Sequence, residues 1–298
     1  MKGNKNMNDI KILLAPTYEL ALKFDNNVEA TVEAEYGDKC VNGKIYTLAH
    51  HGSRSANPAP CNTSVIPIKK GTVLVSHIDL DTIGGCLALM GLKQVAKSFW
   101  QAVEYIDVNG AHHIQDLSQE NQDKLNAIYA WNASQNKKEK TLSIADVTKD
   151  ILLYKSIFDI ILNKDNPQNI EFIKQGKEWA KNRTKEVEDR LLFENEHIRV
   201  FQTDGIFCNA SYYSPKTNKI KDCTIALNTH FNAITLAFED GGKRFNAQEI
   251  VQQLWGNEAG GRAGIAGSPR NWSLSKDKIN KEFNKLIQIV TEKYKNMI

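Results

Sequence analysis

The run Thr72-Val-Leu-Val-Ser-His-Ile-Asp-Leu-Asp-Thr-Ile-Gly-Gly85 leads from an apolar stretch into one histidine, two aspartates and a pair of glycines. In extended backbone, side chains at i, i+2 and i+4 leave the chain on the same side. His77, Asp79 and Asp81 therefore converge if a strand continues that far. An imidazole with carboxylates suits a hydrolytic Mn²⁺, Fe²⁺ or Zn²⁺ centre, and Mg²⁺ is accommodated as well. The competing reading is purely local: Asp81 is the N-cap of a helix that starts near Ile83.

With 298 residues, 41% of them hydrophobic, the chain is long enough for two cores, since single cores stop growing at roughly 250–300 residues. A formal charge of +3 declares no broad basic surface for long duplex nucleic acid and fits small or short substrates better. Met1–Asn8 is polar, and no apolar run approaches the roughly 20 residues that span a bilayer. The expectation is a soluble, cytoplasmic protein with no membrane partner. Cys40, Cys61, Cys86, Cys208 and Cys223 are scattered without C-x-x-C spacing, which argues against a zinc ribbon or a disulfide framework.

Residues 11–48 read as short strands and turns, with period-2 alternation over Glu29–Tyr36. The Gly- and Pro-containing stretch from Ala49-His50-His51 to Cys61 reads as a loop. A strand at 72–76, a helix at 83–100 and a strand at 102–106 form a β-α-β unit, which requires parallel strands. Asp107 then lies with His77, Asp79 and Asp81 at carboxyl ends of parallel strands, where open sheets bind ligands. His112 and His113 follow on the same loop. Helices are expected at 119–134, 143–163 and 169–195. Strands follow at 198–203, 205–213, 222–228 and 232–238, then a helix at 246–254, a glycine-rich loop at 256–270 and a closing helix from Ser275. The fold class is α/β: an N-terminal parallel-sheet metal-binding domain with a helical connection (1–190), and a smaller C-terminal domain with a mixed sheet (191–298).

His77-x-Asp79-x-Asp81, taken with Gly260-Gly261-Arg262-x-Gly264-x-Ala266-Gly267, resembles the Asp-His-His (DHH) phosphoesterase superfamily, which includes RecJ-like exonucleases and nano-RNases. The likeness covers roughly residues 70–115 and 200–275. It implies that His77, Asp79 and Asp81 hold two metal ions, Mn²⁺ or Mg²⁺, that Asp107 bridges them, and that His112 is a further ligand. Asp79, Asp81, Asp107 and His113 then carry the catalysis, His113 acting on phosphoryl oxygens or the leaving group. Gly260, Gly261, Arg262 and Gly264 hold the phosphate or terminal nucleotide, because a loop with small side chains lets backbone approach closely. His51 and Arg54 are assigned to the substrate cleft. The implied reaction is metal-assisted hydrolysis of a phosphodiester or phosphomonoester in a nucleotide or short oligonucleotide. A homodimer is left open.

The chain departs from the family pattern, because neither His pair is preceded by aspartate. Ala111-His112-His113 is the preferred match, and Ala49-His50-His51 the rival. The context of the latter resembles metallo-β-lactamase-fold hydrolases superficially, although their H-x-H-x-D-H signature is absent. Two alternatives stay open: a nucleotide- or RNA-binding module without turnover, and a hydrolase of another small phosphorylated metabolite.

Overall fold

The computed structural model describes residues 9–296, apart from 38, 52–53, 136–142, 204–211, 215, 218, 270–271, 273 and the side chains of 111 and 112. In chain order the first elements are β1 (Ile10–Leu14), α1 (Tyr18–Ala21), β2 (Ala30–Val32), β3 (Glu35–Tyr36), β4 (Lys39–Cys40), β5 (Tyr46–Leu48), β6 (Gly71–Val75), α2 (Leu80–Leu89) and α3 (Lys97–Asn109). There follow α4 (Gln119–Ser134), β7 (Ala145–Asp146), α5 (Thr148–Ile161), α6 (Asn169–Asp189), β8 (Leu191–Glu194), β9 (Ile198–Thr203), β10 (Tyr213–Ser214) and β11 (Lys219–Ile220). The chain closes with β12 (Cys223–Asn228), β13 (Ala233–Phe238), α7 (Ala247–Trp255), β14 (Gly260–Gly261), β15 (Ile265–Gly267) and α8 (Lys276–Lys295).

The chain divides into two compact units, one of residues 1–107 and 136–171 and the other of 108–135 and 172–298. Most of α6 and all of α4 thus fall in the same unit as the C-terminal sheet, whereas the sequence reading grouped them with the N-terminal part.

In the first unit the described sheet runs β5-β2-β6-β1-β7. β5, β2, β6 and β1 are parallel, and β7 joins antiparallel at the edge. Ile12, Val32, Val73, Leu74 and Val75 are fully buried in it. Val32 sits level with Leu48 on one side and Val75 on the other, so three adjacent strands finish at the same height.

Two sequence expectations fail here. Residues 102–106 are helical, because Phe99, Trp100, Val103 and Ile106 are the buried positions of α3; their spacing of three and four is the helical period. The helix expected over 83–100 is two helices, α2 and α3, broken near Gly91, which has φ +68°. Gly84 and Gly85 lie inside α2. A Cβ on Gly84 would stand 2.5 Å from Cys61 Cβ, and one on Gly85 2.8 Å from Pro60 and Val32. The glycines let α2 press against the 60–62 turn and the sheet.

The second unit carries a mixed sheet ordered β14-β15-β13-β12-β9-β8, in which β9 and β12 are parallel and the other pairs antiparallel. Ile198, Val200, Ile225, Leu227, Leu236 and Phe238 pack with Ile250 and Val251 of α7 and with Ile279, Phe283, Leu286 and Val290 of α8. On the other face Phe201 and Ala226 meet Val187 of α6. The last expected helix stops at Asp189, where β8 begins, and most of the strand expected at 205–213 lies outside the described residues. Among the described residues no helix is long and apolar enough to cross a membrane.

Candidate metal centre

Three neighbouring parallel strands deliver the site. Immediately after β2 comes Glu33, after β5 come Ala49, His50 and His51, and after β6 come Ser76 and His77. Because β2 lies between β5 and β6, Glu33 has a histidine source on each side. Its backbone sits at φ +47°, a left-handed conformation that costs a side-chain-bearing residue on the order of 1–3 kcal/mol and persists only where surrounding groups enforce it. Its side chain is 0% exposed, and both oxygens are engaged. Oε1 lies 2.9 Å from His50 Nε2 and 2.8 Å from His51 Nε2. Oε2 lies 3.2 Å from His77 Nε2 and accepts from Thr82 Oγ1 at 2.9 Å.

The other carboxylates come from the helices. Asp79 caps α2, its Oδ1 accepting from Thr82 N (2.8 Å), while its Oδ2 faces His77 Nε2 at 2.9 Å. Asp81, in the first turn of the helix and 1% exposed, accepts from Cys61 N at 2.7 Å through Oδ1. Its Oδ2 is 3.3 Å from His50 Nε2 without hydrogen-bond geometry, and is otherwise a buried oxygen with no donor among the described residues. Asp107 arrives from the last turns of α3 and places Oδ2 3.1 Å from His50 Nε2. The local reading of the motif was thus one residue pair off: the N-cap is Asp79, and Asp81 is free to face inward.

Electrostatics follow from this crowding. Burial alone raises the Glu33 pKa, but hydrogen bonds from His50, His51 and His77 hold it well below the ordinary value. Burial likewise raises Asp79, and the charge and hydrogen bond of His77 with the Thr82 N–H bring it below normal. Asp81 is pushed up to about 6 by burial and by the charges of Glu33 and Asp79, against the nearby His50 imidazole and the hydrogen bond from the Cys61 N–H. Burial lowers His50, yet the close carboxylates of Asp107, Asp81 and Glu33 overwhelm it and hold the imidazole up to about 12. Three carboxylates around the His50 ring, with Asp79 beside His77, make a strongly cation-attracting pocket.

The histidine tautomer can be derived at His77. Ser76 Oγ donates its single hydrogen to the Glu33 carbonyl and lies 2.8 Å from His77 Nδ1. The hydroxyl therefore accepts there, and Nδ1 carries the proton. In the neutral ring Nε2 is then a lone pair, yet it faces oxygens of Asp79 and Glu33 at 2.9 and 3.2 Å. Lone pair against carboxylate is repulsive unless a cation stands between them. A second proton does this, and so does a metal ion, for which Nε2 ligation with Nδ1 held by a hydrogen bond is the usual arrangement.

The donor set fits a metal. Glu33, His50, His51 and Asp107 each offer an atom within 4.8 Å of the others, and so do Glu33, His77 and Asp79. The two groups share Glu33. The thiols near the site, Cys61 and Cys86, are buried with raised pKa values and are not donors, so the set is imidazole and carboxylate.

Of the residues singled out from sequence, His77, Asp79, Asp81, Asp107 and His51 are thus brought together. Arg54 stays on the same loop, its N–H donating to the His51 carbonyl at 2.9 Å. His113 belongs to the second unit, with Nδ1 2.9 Å from Asp116 Oδ2, and the side chain of His112 lies outside the described residues. Gly260, Gly261, Arg262 and Gly264 form the β14–β15 hairpin of the second unit, where Arg262 Nη1 donates to the Val108 carbonyl at 3.2 Å. Gly261 has φ +148°, and a Cβ there would stand 2.4 Å from the Ile265 carbonyl oxygen.

Sequence reasoning missed Glu33, and it ranked His50–His51 behind His112–His113. The signal for Glu33 was a lone acid directly beyond the apolar end of a short strand; alternation made it look like one more outward-facing glutamate between Glu29 and Glu35.

No family model matches the sequence, and no curated protein matches it. Among solved structures, the chain is similar to the pGpG-specific phosphodiesterase PggH from Vibrio cholerae, with a TM-score of 0.43 and 9% identity over 89% of this chain and 99% of that one. It is also similar to an uncharacterized protein from Helicobacter pylori G27, with a TM-score of 0.26 and 15% identity over 83% of this chain and 77% of that one.

Proposed function

We propose that this chain is a metal-dependent phosphoric ester hydrolase acting on a nucleotide or short oligonucleotide. The observation that carries the reading is the convergence of His50, His51 and His77 on the buried carboxylate of Glu33, with Asp79 and Asp107 beside them. Charge supports two ions. Glu33, Asp79, Asp81 and Asp107 sum to four negative charges, which two divalent cations balance with all three imidazoles neutral.

In this reading Glu33 is the shared ligand. His50, His51 and Asp107, with the unpartnered oxygen of Asp81, serve one ion, and His77 and Asp79 serve the other. Divalent ions held there supply a water nucleophile at neutral pH and stabilise charge on the ester oxygens. The chain's own contribution is to hold the ligands. Ser76 keeps the His77 proton on Nδ1, the Thr82 hydroxyl and backbone N–H fix Glu33 and Asp79, and the backbone N–H groups of His50 and His51 anchor to Glu35 at 3.2 Å. Phosphate as the substrate group rests on the H-x-D-x-D and Gly-Gly-Arg motifs together. The intact donor set favours turnover over a binding-only module.

The test is add-back of Mn²⁺ or Mg²⁺ to metal-stripped protein, with bis(p-nitrophenyl) phosphate and 5′-phosphorylated dinucleotides as substrates. Metal-restored hydrolysis that is lost in Glu33→Gln supports the reading. Tight metal binding without hydrolysis of any phosphate ester defeats it.

A further inference from the structure

We infer that the second unit carries a separate binding site for a nucleoside monophosphate, in a cavity between one end of its sheet and α8. The cavity measures about 550 Å³ and is lined by Arg190, Gln202, Thr229, Lys276, Asn280 and Asn284, all within that unit. This volume lies within the range of small-ligand sites, roughly 300–1,000 Å³.

Its origin is a change of character along a packed interface. Ile198 and Val200 of β9 face α8, and the period of two puts Gln202 on the same face. On β12 the row Cys223, Ile225 and Leu227 faces α8 and continues to Thr229. Both rows are apolar until their last member. On α8, Lys276, Asn280 and Asn284 recur every four residues beside the buried stripe of Ile279, Phe283 and Leu286. The apolar core therefore stops at one end of the sheet, and an amide- and cation-lined space continues from it.

That space lies at the other end of the sheet from the Arg262 turn. Phe238, which bonds to Gly264, pairs with Cys223, whereas Gln202 and Thr229 lie at the Asn228–Ala233 end. The site is thus independent of the glycine hairpin, and the inference does not depend on the metal centre.

The lining chemistry selects the ligand. Two of the six residues are cations and none is an acid. Arg190 lies 4.0 Å from Glu186 and is further held within its own unit. The side chains of Gln202, Lys276, Asn280 and Asn284 have no hydrogen-bond or ion-pair partner among the described residues. Thr229 is held by its bond to the Thr203 carbonyl at 3.1 Å. Lys276 and Arg190 suit a phosphate. The three carboxamides each offer both donors and an acceptor, the complement of a heterocyclic base edge.

The test is calorimetric titration of the full-length protein in EDTA with AMP and GMP, and with adenosine, guanosine and inorganic phosphate as separate probes. A mononucleotide should bind, the bare nucleoside and phosphate roughly tenfold or more weakly. Lys276→Ala should weaken the nucleotide roughly tenfold and Asn284→Ala roughly three- to tenfold. Both positions are exposed, and circular dichroism confirms the fold. Asp79→Asn should leave the affinity unchanged. No binding of either nucleotide, unchanged affinity in both cavity variants, or loss of binding in Asp79→Asn would each overturn the inference.

Discussion

Replacing Ser76 by alanine removes one oxygen, and the arrangement around it sets what should follow. That oxygen holds the Glu33 carbonyl and His77 Nδ1 together in a position 5% exposed. The Glu33 carbonyl loses its donor, at about 1–3 kcal/mol of stability for a buried acceptor. His77, 22% exposed, can recruit water at Nδ1 and adds little. The larger effect falls on the metal, because loss of a partner that orients a ligating histidine typically weakens affinity 10–100-fold. If Mn²⁺ is supplied at about 100 times the wild-type Kd, it stabilises the folded chain by about 2.7 kcal/mol. After a 100-fold loss of affinity the same concentration gives only about 0.4 kcal/mol. For a unit of this size the difference of about 2.3 kcal/mol is a loss of roughly 5–9 °C in the metal-induced rise in Tm. Calorimetric scans of metal-free and Mn²⁺-loaded proteins read this directly, with titration giving Kd. A Ser76→Ala protein that keeps both the wild-type Mn²⁺ affinity and the full rise in Tm would refute the tautomer argument.

Asp79 both caps α2 and faces His77. Asp79→Asn keeps the cap and loses only the charge paired with His77, so in thermal melts of the metal-free protein it should fall less than Asp79→Ala, which loses the cap as well, about 0.5–2 kcal/mol; both should abolish metal-dependent hydrolysis. Because His50 is raised from 6.5 to about 12 in the metal-free chain, its proton adds stability that is complete below pH 6.5 and is lost as pH climbs toward 12. A metal must displace that proton. Mn²⁺ affinity should therefore rise with pH, and titrations in buffers of different ionisation enthalpy should show proton release; a pH-independent affinity would count against His50 as a ligand. In the hairpin, Gly261→Ala meets the Ile265 carbonyl at 2.4 Å while Gly260→Ala enters open space. The first should lower the Tm of the second unit, and the second should leave it within about 0.5 kcal/mol of wild type.

Much of this was legible in the sequence. The α/β class and the mixed C-terminal sheet followed from periodicity, and the gathering of His77, Asp79 and Asp81 followed from their spacing, although the mechanism differs. The strand stops at Val75, and the two aspartates reach the site from the first turn of α2. Asp107 was singled out on a strand that proves to be a helix, since a short apolar run does not distinguish the two. Glu33 and the His50–His51 pair were harder because their role depends on strand order. Only once β2 is seen between β5 and β6 do residues separated by 17 to 44 positions in the chain meet at one carboxylate. Strand order is a property of long-range pairing that local pattern does not encode.

The most direct test of the account is titration of metal-stripped protein with Mn²⁺, in wild type and in Glu33→Gln, reading stoichiometry and affinity together. With Glu33 shared by both donor groups, the account predicts two ions per chain in wild type and loss of both tight sites in the variant. Absence of tight binding in wild type, or two undiminished sites in Glu33→Gln, would contradict it.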